Sequence, residues 1–73
     1  MTLGESRVRV SFNPSSNPDV DDIKRRAADA IDWCDHHLQA FKSDPDGYER
    51  VRAMSLAMEH FEDAVMWAVK AIT

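Results

Sequence analysis

The 73-residue chain has one cysteine, Cys34, and two glycines, Gly4 and Gly47. A single cysteine excludes an intrachain disulfide and a multi-cysteine zinc site. Two isolated glycines exclude a glycine-rich phosphate loop. No apolar run approaches the roughly 20 residues that span a bilayer, and no charged-then-apolar leader is present. We therefore expect one small soluble domain in a reducing, cytosolic setting, without a membrane partner.

Positive charge is also scarce. Nine Lys and Arg face thirteen Asp and Glu, for a net charge of −4. This balance argues against a DNA or RNA polymer as the main partner. The cations are concentrated in residues 1–26, which hold five of them against four acids, whereas residues 27–73 hold four against nine. A small phosphorylated ligand needs only a few such groups, although a solvated surface pattern explains them equally well.

Residues 1–17 are predicted to form an arm and a loop. Polar and apolar residues alternate from Arg7 to Phe12, which is typical of a short strand or extended arm. Residues 13–18, Asn-Pro-Ser-Ser-Asn-Pro, follow as an ordered turn or loop. Asn17 suits a helix N-cap with Pro18 at the first helical position.

Two long helices are predicted beyond the arm. Apolar residues recur every three or four positions from Pro18 to Lys42 and again from Tyr48 to Ile72. Residues 43–47 separate them as a turn. The expected fold is all-α, an antiparallel two-helix hairpin with a short extended N-terminal arm, in a single domain spanning residues 1–73.

The second helix carries an additional apolar row that one hairpin cannot cover. We name it the small-residue row; it consists of Ala53, Ala57, Ala64, Trp67 and Ala71. A chain this short, without disulfides or a structural metal, usually needs a partner subunit for stability. The row is therefore assigned to contacts in a homo-oligomer, with high helix propensity as the competing explanation.

Metal and catalytic sites find little support. Cys34 and His37 could share a helical face near His36, with His60 approaching from the second helix, but Cys34 occupies a core position. The serines have no histidine nearby in sequence, and the carboxylates are spread over solvated faces. We expect no metal, no cofactor and no enzymatic activity.

The residues around the first helix start are better candidates for binding. Lys24 lies at the edge of the apolar stripe, where it can lay its stem on apolar surface and present an exposed ammonium at a pocket rim. Phe12 offers a flat aromatic face, with Arg7 and Arg9 on the arm before it. Such groups suit a nucleotide. Alternatively, Phe12 packs onto the helix and Lys24 is a surface residue.

Two segments resemble the phage hairpin-domain proteins that sequester immune nucleotides, the anti-CBASS cyclic-oligonucleotide sponges and the related anti-Thoeris module. The segments run from Phe12 through the Ile23-Lys24 pair to Ile31 and from Ala57 to Ile72. The resemblance implies a compact homohexamer with pockets between subunits, acting in the cytoplasm of the infected bacterial host. It further implies that Lys24 contacts a ligand phosphate and that Phe12 stacks on a base.

The function expected from this resemblance is capture of a cyclic oligonucleotide, with a cyclic dinucleotide favoured, without cleavage. The candidate ligand-binding residues are Lys24, Phe12, Asn13, Arg9 and Arg25. Met58 stands where better-known members often have an arginine, which puts a second pocket for cyclic trinucleotides in doubt. The alternative function is a small oligomeric protein-interaction module with no nucleotide ligand.

Overall fold

The computed structural model describes all 73 residues and contains three α-helices and no strand. Helix α1 spans Leu3–Val8, α2 spans Pro18–Lys42 and α3 spans Tyr48–Ile72. Helices α2 and α3 pair along their length as the hairpin, and α1 packs chiefly against α2. The all-helical hairpin expected from the sequence is confirmed. None of the helices is long and apolar enough to cross a membrane.

The ends of α2 are set by local side-chain chemistry. The Asn17 side chain accepts a hydrogen bond from the backbone N–H of Asp19 at 2.9 Å, and Pro18 occupies the first turn. Beyond Lys42, the Asp44 carboxylate accepts a hydrogen bond from the backbone N–H of Asp46 at 3.0 Å. This Asx turn reverses the chain and starts α3.

The core lies along the seam between α2 and α3, closed at one end by α1. Its buried apolar members are Val8, Ala27, Ala28, Ile31, Cys34, Leu38, Met58 and Val65. Only 12 of the 73 residues are buried, so a single chain shields a small fraction of its apolar side chains. Much of α3 remains exposed as a result, including Trp67, which is 60% exposed.

The predicted extended arm is wrong, because residues 3–8 form a helix. The Thr2 side chain accepts a hydrogen bond from Glu5 N–H and the Glu5 carboxylate accepts one from Thr2 N–H, which is a capping box. Arg9 ends α1 in the left-handed conformation, with φ 55°. A lone strand has no neighbour with which to form a ladder in an all-helical chain, whereas a capped helix satisfies its own backbone.

Helix α1 lies unusually close to α2 at Gly4. The Gly4 N–H donates a hydrogen bond to the Asp32 carboxylate at 2.7 Å. A Cβ added to Gly4 would lie 2.8 Å from the carbonyl carbon of Ala28, and closer still to its oxygen. The absence of a side chain at Gly4 therefore lets the two helices meet backbone to backbone, which buries Val8 in the core.

Candidate functional site

A groove of about 450 Å³ opens where the arm, the start of α2 and the end of α3 meet. Lining residues between positions 7 and 15 form one wall. Helix α2 contributes Val20 and Lys24, and α3 contributes lining residues between positions 62 and 69. Four of the five sequence-predicted binding residues line it, namely Arg9, Phe12, Asn13 and Lys24. The volume is within the range usual for small-molecule sites.

Lys24 is buried, and the expectation of an exposed ammonium is wrong. Its side chain is 8% exposed, and Nζ donates hydrogen bonds to the backbone carbonyl oxygens of Arg9 and Phe12. The Arg9 contact measures 3.1 Å. An ammonium has three N–H donors, so one remains for a further acceptor. Lys24 thus ties the arm to α2 and holds the backbone that carries Phe12.

We expect Lys24→Met to lower the free energy of unfolding by about 1.5–3 kcal/mol, because hydrogen bonds to a charged group carry that magnitude. Methionine keeps the apolar stem but leaves two carbonyls without their donor. Urea denaturation checks this, with Arg26→Met as the matched control because Arg26 is exposed and pairs only with Asp22. Equal stability of the two variants would contradict the tethering role.

Phe12 presents an aromatic surface at the groove. Its side chain is 53% exposed and it does not belong to the buried core. The Arg9 guanidinium lies 4.5 Å and the Lys24 ammonium 5.5 Å from the ring centroid. A half-exposed ring flanked by two cations contributes little to packing, so the alternative in which Phe12 packs onto the helix is weakened.

Asn13 organises the loop that follows Phe12. Its amide Nδ2 donates to the carbonyl oxygen of Asn17 at 2.9 Å and to the Asp21 carboxylate at 3.1 Å. Its Oδ1 accepts from the Ser15 hydroxyl at 2.6 Å. Asn17 in turn donates to the carbonyl oxygen of Ile72 at 3.3 Å, which joins the loop to the end of α3. These bonds fix the polar edge of the groove.

Arg25, the fifth predicted residue, lies outside the groove. It donates a hydrogen bond to the Glu5 carboxylate at 3.0 Å and lies 3.7 Å from Asp29. The Thr2 backbone N–H, together with Arg25, lowers the pKa of Glu5 to about 2, and Glu5 raises the pKa of Arg25. Arg25 therefore fastens α1 to α2.

Two charged groove residues were absent from the predicted set of ligand-binding residues. Arg7 and Glu62 form an ion pair that joins α1 to α3, and both line the groove. The capping-box spacing from Thr2 to Glu5 is the signal that places Arg7 on a helix, but nothing in the sequence links it to Glu62, 55 positions away. The lining thus contains three cations, Arg7, Arg9 and Lys24, and one acid. It is cationic in a chain of net charge −4.

Cys34 and the histidines lie elsewhere. Cys34 is 2% exposed, and burial raises the pKa of its thiol. On α2, the rings of His37 and Trp33 lie with their centroids 4.2 Å apart and their planes tilted by 50°. No group of three or more His, Cys, Asp or Glu side chains is arranged to hold a metal ion.

The fold and the groove together define a small helical-hairpin protein with an aromatic and cationic groove. Residues 4–73 match the family model described as the Acb2/Tad1 hairpin domain, and the chain belongs to that family. The family resemblance drawn from the sequence is confirmed, and it implies a phage anti-defence sponge role, that of a binding protein. No curated protein and no solved structure matches the chain.

Proposed function

We propose that this chain captures a cyclic oligonucleotide immune signal, with a cyclic dinucleotide favoured, and holds it intact in the groove. The observation that carries the proposal is the half-exposed Phe12 ring beside Arg9 and Lys24, in a cationic groove of an acidic protein. A base stacks on an aromatic face and phosphates accept from cations. The site of action is the cytoplasm of the infected host.

Each polar group has a distinct task in this proposal. Arg9 has no carboxylate partner, so its guanidinium is available to a phosphate. Lys24 supplies its third N–H to the ligand while the other two hold the arm. Asn13 is engaged within its loop and shapes the polar edge of the groove.

The residues that line the groove support capture without cleavage. Cleaving a phosphodiester requires a nucleophile next to a base, or a metal that activates water. The hydroxyls of Ser15 and Thr73 line the groove with no histidine among the lining residues, and the only side-chain carboxylate there, that of Glu62, is held by Arg7 through Oε1. These features favour a reversible binder.

The functional species is proposed to be a homo-oligomer, with the hexamer implied by the resemblance. The small-residue row lies on an exposed side of α3, where Ala53, Ala64, Trp67 and Ala71 are all exposed. Phe61 beside it is 40% exposed. A second copy on this surface would cover apolar area that the single chain leaves in water.

Replacing Phe12 tests the stacking role. We expect Phe12→Ala to weaken binding of cyclic GMP-AMP by about 1–3 kcal/mol, the usual contribution of base stacking on an aromatic ring. The melting temperature should change little, because the ring is half-exposed. Phe12→Tyr keeps the flat face and should largely preserve binding. Calorimetric titration beside melting curves checks both variants, and a destabilised Phe12→Ala whose folded fraction binds at full strength would end the stacking role.

Mass spectrometry of the molecules that copurify with the protein tests the function as a whole. A sponge should release an intact nucleotide on denaturation. The alternative function, an interaction module without a small ligand, would release none and would bind no cyclic nucleotide in calorimetry. The native mass of the same sample gives the number of subunits in the assembly that carries the ligand.

A further inference from the structure

Glu62 is the only acidic side chain that lines the groove. It lies on α3, in a different wall from Phe12, which belongs to the arm. A carboxylate at a site for a polyanion opposes the ligand's phosphates, so its presence there requires either a structural or a recognition role. The ion pair with Arg7 involves only one of the two carboxylate oxygens, so the role of the other oxygen is still to be explained.

The geometry of the carboxylate is asymmetric. Oε1 is fully buried and pairs with Arg7 Nε. The side chain as a whole is 33% exposed, and its only ion pair is the one through Oε1. Arg7 therefore holds Oε1, and Oε2 of this groove-lining side chain retains its capacity to accept a hydrogen bond.

We propose, on the basis of the proposed function, that Glu62 determines base specificity by accepting a hydrogen bond from guanine. The Watson–Crick edge of guanine presents two adjacent donors, N1–H and the N2 amino group. Adenine presents one amino donor beside a ring nitrogen that is an acceptor, and a carboxylate repels an acceptor. Glu62 then favours cyclic dinucleotides that contain guanine over those that contain only adenine.

The test compares Glu62→Gln with the native chain in calorimetric titrations of cyclic di-GMP and cyclic di-AMP. The native chain should bind cyclic di-GMP more tightly, and Glu62→Gln should narrow the ratio of the two affinities by about tenfold or more. Asp63→Asn removes the same charge from the neighbouring position, which is exposed and outside the groove, and should leave the ratio unchanged.

The ratio of affinities separates base reading from a general charge effect. If Glu62 only restrains Arg7 or repels phosphate, Glu62→Gln changes both affinities equally, and the guanine role is overturned. A native chain that binds both nucleotides equally overturns it too, whereas one that binds neither overturns the proposed function itself. Should Glu62→Gln fail to fold by circular dichroism, Glu62→Asp withdraws the carboxylate by one methylene and must narrow the same ratio.

Discussion

Gly4→Ala is expected to undock α1 from α2 and to lower the free energy of unfolding by about 1–3 kcal/mol, the usual cost of overpacking a tight contact. The added Cβ would lie within 2.8 Å of the Ala28 carbonyl carbon, and that carbonyl belongs to the α2 backbone and cannot turn aside. Ligand affinity should fall with stability, because α1 carries Arg7 and leads directly to Phe12. Urea denaturation measures the free energy of unfolding, and amide hydrogen exchange across Leu3–Val8 measures the undocking of α1.

The sign of this prediction opposes helix propensity. Alanine is favoured over glycine within a helix by about 1 kcal/mol, so an undocked or freely adjusting α1 would be stabilised by the change. Ser6→Ala is the matched control, since Ser6 is exposed on the same helix and also becomes alanine. A Gly4→Ala chain at least as stable as the control would show that the close approach to Ala28 does not hold α1 in place.

Ala64→Glu is expected to dissociate the proposed oligomer. Ala64 is exposed on the single chain, so a glutamate there costs the isolated hairpin little. In an assembly that covers the small-residue row, the same glutamate is an unpaired buried charge and costs several kcal/mol at each interface. Light scattering should therefore report a smaller species. Thermal unfolding should show a lower melting temperature, because the apolar face of α3 returns to water.

Ala40→Glu provides the control for this variant. Ala40 is exposed on α2, outside the small-residue row, and the substitution introduces the same side chain. The control should keep the native mass and melting temperature. A monodisperse, cooperatively folded monomer in the native chain, or an Ala64→Glu chain of unchanged mass, would contradict the assignment of the row to subunit contacts.

The sequence predicted the hairpin well and the arm poorly, for a physical reason. In α2 and in α3, apolar residues recur every three or four positions over 25 residues, and this helical period predicts both elements. The arm offers only six alternating residues from Arg7 to Phe12, too few to distinguish a strand from a helix end. In the structure, Val8 is buried and Val10 also packs against the core, with Arg9 between them in the left-handed conformation.

The sequence predicted several of the side chains that line the candidate site, but not the contacts that hold them there. Local sequence brought Phe12, Asn13 and Lys24 to one helix start, and the groove is there. The burial of Lys24 depends on carbonyl oxygens 12 and 15 positions away, whose direction is set by the turn after α1. The Arg7–Glu62 pair depends on the packing of α1 at the end of the hairpin, and no local pattern encodes that contact.

The two hydrogen bonds from Lys24 to residues 9 and 12 also affect the thermodynamics of the proposed capture. Ordering the backbone of one residue costs about 1–2 kcal/mol at 25 °C, so a flexible arm that closed over a nucleotide would lose much of its affinity to entropy. Here the carbonyls of Arg9 and Phe12 are already held by the ammonium. The conformational entropy of this segment is therefore lost during folding, and the Phe12 ring is already positioned for the proposed nucleotide.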